Sequence, residues 1–204
     1  MKNLKPEILM TILYFIIGAF VMVSCGSSKE HNHEIGDETE HINADMEHNH
    51  NQSSSSPRKS AMANVGNSHI HIDYSAPSVK GRVIWGGLVA HDQLWVTGAH
   101  KATSIDFPND VIINGEEIPF GKYALFTIPG QSEWTIILNR NWDQHLTDDY
   151  DQSLDILRFM VSPESLNKIE EELIYTVSDN GDNIGTISMS WEKLKISFDF
   201  TVIE

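Results

Sequence analysis

Lys193-Leu194-Lys195-Ile196-Ser197-Phe198-Asp199-Phe200 is the stretch that decides the fold class. Leu194, Ile196, Phe198 and Phe200 fall on one side of an extended chain, and Lys193, Lys195, Ser197 and Asp199 fall on the other. Successive side chains of a strand point to opposite faces, so this alternation predicts a half-buried strand, apolar inside and polar outside. Ile70, Ile72 and Tyr74 alternate with His69, His71 and Asp73 in the same way. Further strands are expected at 79–85, 93–97, 102–106, 110–113, 122–128, 133–139, 154–161, 171–177 and 184–190.

Turn chemistry separates these segments. Asn114-Gly115 follows Val111-Ile112-Ile113 and accepts the positive φ of a tight hairpin. Pro129-Gly130 divides Leu125–Ile128 from Trp134–Leu138, and Asp179-Asn180-Gly181-Asp182 divides a strand ending at Val177 from one starting near Ile184. Many short strands at this spacing predict an all-β fold, an antiparallel sandwich or barrel of about nine to eleven strands. The helix signal is confined to Pro163–Glu172, a turn or two with Ser162 as candidate N-cap. Residues 68–204 have the length of one domain.

Upstream, residues 25–67 read as a disordered tether. Residues 26–67 have no aromatic residue, contain Ser53-Ser54-Ser55-Ser56-Pro57, and are rich in Asn, Asp and Glu. Such a composition buries too little apolar surface to offset the entropy of ordering. His31, His33, His41, His48 and His50 lie within it, two pairs of them one residue apart. Imidazole suits zinc and copper, so weak metal capture by His31, His33, His48 and His50 is one reading and a plain polar linker the other.

The tether starts at the only cysteine, Cys25. Before it come Lys2 and Lys5, the apolar run Ile8–Val23 and the small residue Ser24, the pattern of a secretory signal peptide over residues 1–24. The run spans roughly 24 Å as a helix, short of the ~30 Å hydrocarbon core. Met22-Val23-Ser24-Cys25 resembles a bacterial lipobox, with Met22 where leucine is commonest. That resemblance implies cleavage before Cys25 and lipid on its thiol. The expected location is therefore an exported, membrane-anchored lipoprotein, periplasmic or at the outer-membrane surface. An anchored Cys25 leaves no thiol for a disulfide, so the domain must stand on its core.

The formal charge is −15, and loss of Lys2, Lys5 and Glu7 with the signal makes the remainder one unit more negative. A surface this acidic repels nucleic acid, which is not an expected partner. Gly-x-Gly-x-x-Gly, P-loop and His-Glu-x-x-His motifs are absent from the sequence.

Three blocks carry a family likeness. Tyr74-Ser75-Ala76-Pro77-Ser78-Val79-Lys80-Gly81-Arg82 runs into Ile84-Trp85-Gly86-Gly87-Leu88-Val89. Leu94-Trp95-Val96-Thr97-Gly98-Ala99-His100-Lys101-Ala102-Thr103 follows. Then come Ile113-Asn114-Gly115, Pro119, Gly121, Tyr123, Leu125–Gly130 and Trp134-Thr135. Over roughly residues 70–201 the chain resembles the bacterial family catalogued as domain of unknown function 2911. The resemblance implies a compact β-rich domain in a secreted or lipid-anchored protein, and it implies no activity. Members often carry Asn-Glu after the Thr-Gly-Ala element, where this chain has His100-Lys101.

Candidate sites follow from residue type. His91, His100 and His145 lie in or near loops; if they converge they make a zinc or copper centre with an open position, and otherwise they are separate surface histidines. His69 and His71 share a strand face and can chelate a metal between them. The acidic loop 142–151 offers oxygen ligands but lacks the full calcium-loop pattern. Trp85, Lys101, Trp142 and Asp143 are candidate ligand contacts, whereas Trp95, Trp134 and Trp191 read as core. No serine sits in a nucleophile elbow. The expected function is a non-catalytic module for a small ligand or metal ion. A zinc- or copper-handling lipoprotein and an envelope hydrolase are the alternatives.

Overall fold

A computed structural model describes residues 56–204. Ten strands and one short 3-10 turn follow in order: β1 (Arg58–Val65), β2 (Ser68–Ser75), β3 (Thr103–Phe107), β4 (Val111–Ile113), β5 (Glu116–Ile118), β6 (Gly121–Pro129), β7 (Trp134–Asn139), the turn at Gln152–Leu154, β8 (Asp155–Val161), β9 (Glu164–Asp179) and β10 (Ile184–Val202). They form a six-stranded sheet ordered β1-β2-β3-β6-β7-β8 and a four-stranded sheet ordered β5-β4-β10-β9. Every ladder is antiparallel. The expected all-β architecture is observed, as two sheets arranged like a sandwich. No helix of the described residues is long and apolar enough to cross a membrane.

The main core is packed from both sheets, with Ile70, Ile105 and Leu125 from one and Ile113, Ile187 and Phe200 from the other. A second, smaller cluster of Val96, Ala102, Ala124, Phe126 and Ile137 covers the opposite face of β6 and β7. The central strands therefore bury both faces, and their sequences read as near-continuous apolar runs rather than alternation. Both clusters lie inside the compact unit His50–Glu204. That unit therefore carries its own core.

β10 explains how two predicted strands become one. Ile187, Met189 and Trp191 are buried at odd positions, and Ile196, Phe198, Phe200 and Val202 at even ones. Glu192, with φ 55°, stands between two register shifts against β9. A one-residue bulge reverses which parity faces inward, so both halves of the strand reach the core. All three predicted turns close hairpins in the expected places: Asn114 and Gly115 both have positive φ between β4 and β5, Gly130 lies between β6 and β7, and Gly181 and Asp182 have positive φ between β9 and β10.

Four expectations are corrected. Pro163–Glu172 is no helix; Glu164 onward belongs to β9, paired with Lys195 and Leu194 of β10. Tertiary pairing overrides a weak local signal here. Residues 79–85 form turns, and residues 93–97 contribute an isolated bridge between Trp95 and Thr127 rather than a strand. The folded domain begins ten residues before residue 68, because β1 pairs with β2 from Arg58↔Ser75 to Val65↔Ser68. Its inward positions include Ala61 and Ala63, whose small side chains gave no strand signal. Cys25, His31, His33, His48 and His50 lie outside the described residues.

Candidate functional site

Between β2 and β3 the chain runs from Ala76 to Ala102 with no regular strand. Its first part is tied to β9: Leu173 N–H donates to Pro77 O (2.9 Å), and Val79 N–H to Glu171 O (2.7 Å). Its second part is tied to β6, where Trp95 and Thr127 exchange backbone hydrogen bonds of 2.8 and 3.0 Å. Its end is tied to the acidic loop: Leu146 N–H donates to His100 O (2.6 Å), and Ala102 N–H to Gln144 O (3.0 Å).

Trp95-Val96-Thr97-Gly98-Ala99-His100 is the unusual part. Thr97 is fully buried at φ 52°, a conformation rare for a β-branched residue, and His100 stands at φ 61°. Such backbone costs about 1–3 kcal/mol per residue and persists only where the surroundings over-determine it. Here Thr97 O accepts from Thr103 Oγ1 (3.0 Å) and from the Tyr175 hydroxyl (2.9 Å), and Thr97 Oγ1 lies 3.1 Å from Thr127 Oγ1. Burial pushes the Tyr175 phenol well above its usual pKa, so it stays a donor. Gly98 O accepts from the Trp95 indole N–H at 3.0 Å. A Cβ on Gly98 would stand 2.9 Å from Thr103 Oγ1 and 3.1 Å from Ser75 O, so only glycine fits.

This segment forms one wall of a cavity of about 570 Å³, within the size range of small-ligand pockets. Pro57, Pro77, Leu88, Val89 and Val96 supply apolar surface, and Trp95 and Trp191 back it. The two indoles stack at 5.9 Å with their planes 22° apart. Trp85 meets Trp95, Trp134 and Trp191 edge-on at 4.8 to 5.9 Å, which completes a cluster of four tryptophans behind the cavity. Lys80, Arg82 and His100 supply its ionisable groups, and among the described residues no Asp or Glu lines it. Arg82 is aimed by two backbone acceptors, Val79 O (from Nε, 3.2 Å) and Ser78 O (from Nη2).

The sequence-predicted residues scatter around this site. His100 lines the cavity. His91 does not; its ring packs within 3.2 Å of where a Gly86 Cβ would stand. His145 sits in the backbone bridge with Lys101, and its Nδ1 lies 3.3 Å from Asp148 Oδ2. Among the described residues no group of three or more His, Cys, Asp or Glu is placed to hold a metal ion. His91, His100 and His145 therefore do not form the metal centre that was one reading of them.

His69 and His71 do share a face of β2, but each has a neighbour of its own. His69 Nδ1 lies 2.7 Å from Asn64 Oδ1, and His71 Nε2 lies 2.9 Å from Asp73 Oδ1. The cation beside Asp73 is Lys122, at 3.1 Å. Partial burial opposes ionisation of Asp73, but hydrogen bonds from Ser60, His71 and Lys122 outweigh it and hold its carboxyl at about 2. Lys122 also lies 4.8 Å over the Trp142 ring, and Lys101 pairs with Asp143 at 2.8 Å. Trp142, Lys101 and Asp143 thus fasten the acidic loop instead of lining the cavity. Asn139, Asn141 and Gln144 order the same loop through hydrogen bonds to backbone groups.

Trp85 is likewise no cavity contact; Trp191 is fully buried in the core, as expected, and Trp95 is half-buried against that core, the two indoles together backing the cavity. The sequence held one signal for this. Apolar parity switches between Trp191 and Leu194, which marks the bulge next to Trp191.

Comparison with curated proteins and with solved structures finds no match. The model of one family matches residues 56–200, from two residues before β1 into β10, and the chain belongs to that family, described as protein of unknown function (DUF2911).

Proposed function

We propose that the chain is an envelope lipoprotein held to the membrane through Cys25, and that its domain is a binding module for a small ligand taken up beside Trp95. The observation that carries the reading is the 570 Å³ cavity, whose wall on either side of Thr97 is set by that buried threonine, held at positive φ by three side chains. Strained, over-determined backbone clusters at ligand clamps, where position matters more than stability. Packing alone does not require it, since the same β-sandwich core extends well away from this corner.

The test of binding uses residues 50–204 and the fluorescent probe 8-anilinonaphthalene-1-sulfonate. Saturable, one-site binding is expected, and Ala99→Trp, which fills the cavity from its own wall, abolishes it. Absence of saturable binding, or binding indifferent to Ala99→Trp in a folded variant, overturns the reading. The anchor is tested separately in cells: globomycin should cause a heavier precursor to accumulate. An unchanged mass ends the anchoring proposal and leaves the binding proposal standing.

A further inference from the structure

We infer that the ligand is a small organic acid with an apolar body, bound with its carboxylate at Arg82 and Lys80 and its body against Trp95. This deepens the reading of the cavity as a binding site and rests on it.

Charge distribution is the first argument. The chain has 29 acidic and 14 basic residues, so a surface patch drawn at random is acidic. The cavity reverses this, with Lys80, Arg82 and His100 among its lining and no carboxylate there among the described residues. Among the described residues neither Lys80 nor Arg82 takes part in an ion pair, whereas Lys59, Lys101, Lys122, Arg158 and Lys195 all do. Glu171 stands at the same turn, its carboxylate accepting the Lys80 backbone N–H at 2.8 Å, while acidic groups beyond about 10 Å act weakly because they are screened at physiological salt.

Geometry is the second. The two bonds from Arg82 to Val79 O and Ser78 O use two of the five guanidinium donors and set the direction of the group. A pre-aimed guanidinium fork matches a planar carboxylate and loses little freedom on binding it. Lys80 is held at φ 47°, with its backbone N–H donated to Glu171 Oε1 at 2.8 Å, which fixes the turn that presents its ammonium. The apolar side is equally specific. Pro57, Pro77, Leu88 and Trp95 offer hydrocarbon and aromatic surface that a sugar or a bare inorganic anion would leave unused.

The test compares naphthalene-2-carboxylate with naphthalene-2-carboxamide, which share size and shape and differ in charge. Binding to residues 50–204 is followed by calorimetry and by the indole N–H resonances of protein labelled with nitrogen-15 at tryptophan. Trp95 and Trp191 report on the cavity, and exposed Trp142 is the internal control. The carboxylate is expected to bind at least tenfold tighter than the carboxamide, moving the Trp95 and Trp191 resonances and not that of Trp142. Arg82→Gln should erase the preference. Lys80→Gln, whose side chain holds no backbone group, should reduce it severalfold, so a folding defect in the arginine variant does not decide the matter. Equal affinity for the two probes at the cavity overturns the acid inference and leaves the binding module intact. No binding of either, together with no binding of the sulfonate probe, overturns both.

Discussion

The ribbon of β9 and β10 and the irregular segment Ala76–Ala102 lie side by side and are held by different forces. The ribbon is a ladder of backbone hydrogen bonds whose inner residues, such as Tyr175, Met189 and Phe200, are buried by sheet packing. The segment has almost no ladder; single backbone bonds to β9, β6 and the acidic loop hold it, together with side chains that bind its carbonyls. In the ribbon a side chain contributes mainly hydrophobic area. In the segment it contributes mainly conformation. Substitutions in the two regions should therefore fail differently: the first in stability, the second in the shape of the cavity.

The largest effect should come from starting the chain at residue 68. That removes β1, leaves β2 an unpaired edge and uncovers Ile70 and Ile72, which are fully buried. Residues 50–204 should unfold cooperatively with heat, whereas residues 68–204 should aggregate or lack a transition. A normal melt for the shorter chain would show that β1 is dispensable. Next comes Phe200→Ala in the ribbon. Phe200 is 1% exposed and packs on Phe107 at 5.8 Å, so the loss should be about 3–5 kcal/mol in urea unfolding. At a temperature where the variant stays folded, probe affinity should be unchanged. A parallel loss of affinity would erase the distinction between the two regions.

Legibility in the sequence followed the same division. Alternation found Lys193–Phe200, and turn residues found the hairpins at Asn114-Gly115 and Asp179–Asp182, because periodicity and positive φ are local properties. β1 was missed because alanines facing inward carry little hydrophobic signal, and the first half of β9 was missed because its partner is distant in sequence. The site was mostly illegible. Its histidines and Trp142 were visible as residue types, yet the cavity depends on Trp191 being brought next to Trp95 across nearly a hundred residues. Only the family-like wording of Tyr74–Val89 and Leu94–Thr103 pointed at the right walls, without saying what they enclose.

Tyr175→Phe sharpens the comparison, since this ribbon residue reaches into the segment. Its hydroxyl donates to Thr97 O, which keeps Thr103 Oγ1 as a second donor. The stability loss should be about 1 kcal/mol, well below that of Phe200→Ala. The Trp95 indole resonance should nevertheless shift, and probe affinity should fall severalfold as the wall relaxes. An affinity equal to that of the parent chain would mean that Thr97 is held well enough without β9.

The smallest effect belongs to a region outside both, the outer face of β2. Asp73 is stabilised as a carboxylate by Ser60, His71 and Lys122, which bring its folded pKa to about 2 despite partial burial. In the unfolded chain an aspartate titrates near 3.9. The folded pKa is the lower one, so the contribution is fully present above about pH 4 and is lost as pH falls through about 2. Because the group is partly solvated, screening reduces it to on the order of 1 kcal/mol. Asp73→Asn should lower stability by that amount at neutral pH and flatten the decline between about pH 4 and 2, while probe affinity at pH 7 stays as in the parent. Were the variant to keep the parent's acid profile, the pairing of Asp73 with Lys122 and His71 would contribute nothing to folding. Were it to weaken the probe, the outer face of β2 and the cavity would be coupled through β3 and β6, and the separation drawn between fold and site would not hold there.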